Sequence, residues 1–121
     1  MDGISNTQKP LITPTRWRAM CRATGVLATL RRSDDSYAVT DIPIIPDNVD
    51  TRLQLETGIA AGTPIAEALL QDVAHPDTHE NPFKNGDTLT HSGHTWRING
   101  APMIDHIAGI VTYTLNRMPQ Q

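Results

Sequence analysis

The clearest alternation in the chain lies near its end. In IAGIVTYTLNR (107–117), Val111, Tyr113 and Leu115 alternate with Thr112, Thr114 and Asn116. Period-two spacing puts each set on its own face of a strand. The same pattern recurs in shorter pieces. Val26, Ala28 and Leu30 alternate, SDDS (33–36) supplies turn residues, and YAVT (37–40) resumes the strand, so Val26–Arg32 and Tyr37–Asp41 predict a hairpin. Leu53 and Leu55 alternate with polar neighbours and predict another strand. In KNGDTLTHSGHTWRINGA (84–101), Thr88–His91 and His94–Ile98 flank a Ser92-Gly93 tip. Trp96 and Ile98 share one face of the returning strand, and Trp96 is expected to supply core area.

Other segments read differently. Residues 1–13 are polar and aperiodic and predict a flexible arm. Thr13-Pro14 can start a short helix, with Trp17, Met20 and Cys21 on one side and Gly25 at its end. DIPIIPDN (41–48) carries Pro43 and Pro46, each of which removes a ladder donor, so the stretch predicts an edge strand or extended loop. Ile65–Val73 fits both periods, and local propensity favours helix. AHPDTHENPFKNG (74–86), with two prolines, predicts a long polar loop. The sum is an all-β domain over 14–118, a small barrel or sandwich of about six to seven short strands with a short N-terminal helix and long flexible loops, followed by a tail at 119–121.

Composition narrows the function classes. The chain has 121 residues, with nine prolines, eight glycines and 4% aromatics, which suits one domain with a modest core. A formal net charge of −3 gives no broad basic field for nucleic acid. Arg16, Arg18, Arg22 and Arg31-Arg32 are the nearest to a basic patch. No apolar run approaches the ~18 residues of a membrane helix, and the first residues do not read as a secretory signal. Cys21 is the only cysteine, which rules out an internal disulfide and fits synthesis in a reducing cytoplasm.

Candidate chemistry is sparse. His75, His79, His91 and His94 are the residues to test for metal, but His75–Glu80 contains Pro76 and lacks the helix that gives His-x-x-x-His its meaning. Ser92, His94 and Asp105 form a triad on paper only, without a nucleophile elbow. Cys21 on an apolar face reads as a structural thiol. Gly58-x-x-x-Gly62 lacks the Lys-Ser/Thr of a phosphate loop. No catalytic, cofactor-binding or metal-ligating set emerges, which leaves binding or architecture. Ile42, Pro43, Ile44, Ile45 and Pro46, with Arg16 and Arg18, are the interface candidates.

The layout resembles the small head–tail joining proteins (head-completion or stopper proteins) of long-tailed bacteriophages. WRAMCRATGVLATLRR (17–32) matches a Trp-led helix entering a first strand. NPFKNGDTLTHSGHTWRI (81–98) places Pro82, Gly86, Asp87, Gly93 and Trp96 in the family's rhythm, and GIVTYTLNR (109–117) matches the closing strand. The resemblance implies a ring of identical subunits, six or more, below the portal (connector) protein in the virion neck. It implies docking to a tail-tube or tail-terminator protein, nonspecific contact with packaged DNA, no membrane and no enzymatic activity. Arms and loops, here Met1–Thr13 and Ile42–Thr63, become ordered during assembly in such proteins. The resemblance also makes Ile65–Val73 a strand. A tail-terminator protein of the same machinery is the nearest alternative. A small metal-dependent barrel enzyme using the histidines is the alternative of another class.

Overall fold

A computed structural model describes residues 26–48, 55, 58–60 and 62–118. The strands are β1 (Leu27–Arg31), β2 (Ala38–Asn48), β3 (Pro64–Leu69), β4 (Thr88–His91), β5 (His94–Ile98), β6 (Met103–Asp105) and β7 (Ile110–Arg117), with one helical turn, α1 (Leu70–Val73), after β3. All pairings are antiparallel. The order β3-β2-β1-β4-β5-β7 closes on itself because β3 also pairs with β7. Six strands form a closed barrel, and closure removes the open edges that a flat sheet would leave. β6 is the extra strand. It pairs with residues 110–112 of β7 while β5 takes residues 115–117 along the same edge.

The barrel interior follows the sequence alternation. Ala28, Leu30, Ile42, Ile44, Ala66, Ala68, Leu89, Ile98, Val111, Tyr113 and Leu115 point inward and are buried. The largest buried side chains are Tyr113 and Phe83. Trp96 is only half-buried and packs at the margin of this core. The expected role of Trp96 as the main aromatic payload therefore passes to Tyr113 and Phe83. Trp96 sits in the third pair from the β4–β5 tip, opposite Leu89, and on its other side faces Arg117, the last residue of β7.

The hairpins fall where the alternation put them. Thr88–His91 and His94–Ile98 are strands as expected, and their two-residue tip has φ 51° at Ser92 and φ 80° at Gly93. Two positive φ angles are what a twist-compatible tight hairpin demands. In the first hairpin the register slips by one residue between Ala28 and Leu30. Thr40 and Asp41 together oppose Thr29, and Asp41 takes the left-handed conformation (φ 55°) of a bulge.

Three expectations change. First, β2 is not an edge strand. Its first part pairs with β1 and its last part with β3. The Ile44 N–H donates to the Val26 carbonyl on the β1 side. By alternation, Pro43 and Pro46 turn their nitrogens respectively toward β3, before that pairing begins, and toward β1, after that pairing has ended. The prolines flank a hand-over between neighbours and cost no ladder bond. Second, Ile65–Val73 is both things: strand through Leu69, then a helical turn through Val73. Third, the alternating run at the C-terminal end begins at Ile110. Ile107, Ala108 and Gly109 belong to the turn between β6 and β7, and β6 itself was not anticipated. The expected N-terminal helix and most of the strand around Leu53 lie outside the described residues; Leu55 is exposed.

Candidate functional site

The antiparallel order gives the barrel two distinct ends. At one end lie the β1–β2 turn, the long segment from α1 to β4, and the connections on either side of β6. At the other lie the start of β1, the β2–β3 connection, the β4–β5 tip and the end of β7.

The first end is locked by Asp87, which is 1% exposed. Its Oδ1 accepts the Ser33 N–H at 2.8 Å, and its Oδ2 accepts the Lys84 N–H at 2.9 Å. Arg32 Nε lies 3.0 Å from Oδ2 and supplies the opposite charge. The Asp87 backbone completes the tie. Its N–H donates to Lys84 and its carbonyl accepts from Ile98, while the Gly86 N–H donates to the Ile98 carbonyl. One residue thus joins the β1–β2 turn and the approach to β4 through its carboxylate, and the end of β5 through its backbone. A buried carboxylate requires this many partners, because an unpaired one costs several kcal/mol.

A second tie closes the same end. The Tyr113 hydroxyl donates to Asn81 Oδ1 at 2.6 Å, and the Asn81 side chain both donates to the Phe83 carbonyl and accepts its N–H. Burial, then the nearby Asp87 charge, hold the Tyr113 hydroxyl far above the ordinary phenol range, so it remains a proton donor. Phe83 fills the core under this knot and stacks on Tyr37, which also meets the His75 ring at 4.7 Å.

The polar loop expected at 74–86 is therefore organised. The His75 N–H donates to the Glu80 carbonyl, the His79 N–H to the His75 carbonyl, and the Asp77 N–H to His75 Nδ1 at 3.0 Å. A cleft of about 550 Å³ runs between this loop and the β6–β7 turn, lined by Leu69, Leu70, His75, His79 and Gly109 among others. His91 and His94 lie at the opposite end. The His91 ring stacks on Trp96 at 5.7 Å, and burial, then the His94 charge, lower its pKa. The four histidines thus form two separate pairs. Among the described residues no three His, Cys, Asp or Glu side chains come together as a metal site. Ser92 contacts His91, not His94, and Asp105 accepts the N–H groups of Ile107 and Ala108 in its own turn.

The interface candidates separate by face. Ile42 and Ile44 point into the core, and half-buried Pro43 and Ile45 face outward. Arg16 and Arg18 lie outside the described residues. On the outer wall, Ile45 and Ile110 pack with Leu69 as a small apolar cluster apart from the core. Beside it a groove of about 360 Å³ is lined by Ile65, Glu67, Met103, Ile104, Asp105 and Ile110. Burial, then the Asp47 charge, hold the Glu67 carboxyl above the usual carboxylate range. This outer groove was not legible in the sequence. Its members come from β3, β6 and β7, and only the register of these three strands brings them together. Among the described residues no helix is long and apolar enough to cross a membrane. No family model, curated protein or solved structure matches the chain.

Proposed function

We propose that this protein is a structural component of a long-tailed phage neck, joining head to tail as a ring of identical subunits. The observation that supports the reading most is the asymmetry of the barrel. The chain enters, leaves and makes the β2–β3 connection at one end, opposite the end that Asp87 and Tyr113 tie down. A ring subunit needs a rigid body and a separate set of segments free to meet its neighbours, and order gained on docking supplies the contacts. The Gly86-Asp87 pair before the hairpin, on which the resemblance rests, is the base of the lock.

The reading puts the protein in the virion, between portal and tail, and gives it no catalytic role. It is tested in the parent phage. Loss of the gene is expected to leave filled heads and free tails that fail to join, and added purified protein is expected to restore joined, infectious particles. Infectious particles formed at normal yield without the protein would end the proposal. Heads that hold their DNA and tails of abnormal length would instead assign it to tail termination.

A further inference from the structure

The sequence holds two Asn-Gly steps, Asn85-Gly86 and Asn99-Gly100. Each carries the parts of a reaction with itself. The glycine nitrogen, which no side chain shields, is the nucleophile, and the asparagine side-chain carbonyl is the target. Asn85-Gly86 forms the turn before β4, closed by the Asp87 N–H on the Lys84 carbonyl. Asn99-Gly100 forms the exposed corner between β5 and β6.

The fold brings the two steps together and occupies both nitrogens. The Gly86 N–H donates to the Ile98 carbonyl at 2.9 Å, and the Gly100 N–H donates to Asn85 Oδ1 at 2.7 Å. The two closures differ in kind. Ile98 is fully buried, and its own N–H donates to the Asp87 carbonyl, so the acceptor over Gly86 is part of the locked end. The acceptor over Gly100 is the tip of an exposed side chain. An exposed side chain swings away far more readily than the carbonyl of a core strand.

We propose that Asn99-Gly100 is a site of self-modification, with the Asn85 side chain as its latch. While the latch is shut, a Gly100 nitrogen stripped of its proton would face the lone pairs of Asn85 Oδ1. Once it opens, a base in solvent takes the Gly100 proton and the nitrogen bonds to Asn99 Cγ. The Cγ–Nδ2 bond breaks, and Nδ2 leaves as ammonia with a proton from water. A second water opens the cyclic imide at either carbonyl, giving aspartate or isoaspartate. Nothing is oxidised or reduced. Isoaspartate adds one carbon to the main chain at residue 99. The Asn99 N–H is the donor to the Thr114 carbonyl, and Ile98 beside it carries both bonds to Gly86 and Asp87. The modification therefore loosens the β5 side of the Asp87 lock.

The test follows Asn99 by peptide mass spectrometry, with isoaspartate resolved, while the full chain stands in mildly alkaline buffer. In the parent, Asn99 is expected to convert ahead of Asn85. Asn85→Ala removes the acceptor and is expected to speed conversion at Asn99 about fivefold, the value of one hydrogen bond. Asn85→Asp keeps an acceptor oxygen and is expected to stay at the parent rate. Amide hydrogen exchange is read on the same samples. In Asn85→Ala the Gly100 amide is expected to lose protection while those of Leu30 and Leu89 keep theirs. Equal rates at Asn99 in the parent and Asn85→Ala overturn the proposal. So does an Asn85→Asp variant as fast as Asn85→Ala, or a parent in which Asn85 converts first. Faster conversion accompanied by exposure of the Leu30 and Leu89 amides overturns it too, and would credit general unfolding.

Discussion

At one end of the barrel, loops far apart in sequence are tied to the core by a buried carboxylate and a buried phenol. At the other, the wall ends in a half-buried tryptophan stacked on a histidine, and the chain enters and leaves. Both ends must cover the same core. The first does it with fixed polar bonds under a full aromatic plug. The second does it with a side chain at the margin. A barrel built this way is fixed at one pole by buried polar bonds and capped at the other by packing alone.

The largest expected effect is at the locked end. Asp87→Ala leaves Arg32 only the exposed Asp34 as counter-charge and leaves two N–H groups without an acceptor, and breaking a buried pair of this kind costs about 3–5 kcal/mol; urea denaturation measures it. Phe83→Ala empties the plug under Asn81 and should cost a similar ~3–5 kcal/mol. Trp96→Ala, at the other end, is expected to cost about 2 kcal/mol, since only part of the ring is removed from water. If Trp96→Ala proved as damaging as Phe83→Ala, the two ends would be equivalent and the comparison would fail. Tyr113→Phe sharpens it. It removes one hydrogen bond and leaves Asn81 Oδ1 the Phe83 N–H, for about 1 kcal/mol.

The smallest effect is a pH dependence at the tryptophan end. The folded protein lowers the His91 pKa, so it favours the neutral ring. The unfolded chain then binds more protons on acidification. Stability attributable to His91 is complete above the ordinary histidine value of about 6.5 and falls as pH drops through it. A His91→Gln variant is expected to lose less stability between neutral and mildly acidic pH than the parent. An equal loss in both would remove His91 from the account.

Much of this fold was legible where one residue's neighbours in sequence are its neighbours in space. The β4–β5 hairpin and its Ser92-Gly93 tip are local, and so is the alternation of Val111, Tyr113 and Leu115. What escaped was set by partners distant in sequence. Pro43 and Pro46 looked like marks of an edge because nothing in the sequence shows β2 changing neighbours between them. β6 is three residues long, too short for a period to register. Asp87 registered only as part of the Gly-Asp rhythm before the hairpin, and its burial depends on Arg32 and Ser33, more than fifty positions earlier. Trp96 was credited with core area for its size and its face; it does pack against the core, but beside the end of β7 its ring stays partly exposed. The histidines were grouped by spacing, and the barrel places them at opposite ends.

The neck-joining reading stands or falls on self-association at the open end. Mass by light scattering over a concentration series, with and without the cognate portal complex, tests it most directly. The account predicts a monomer or small species alone that converts in one step to a ring of defined mass on the portal. A protein that stays monomeric at every concentration and ignores the portal would contradict it.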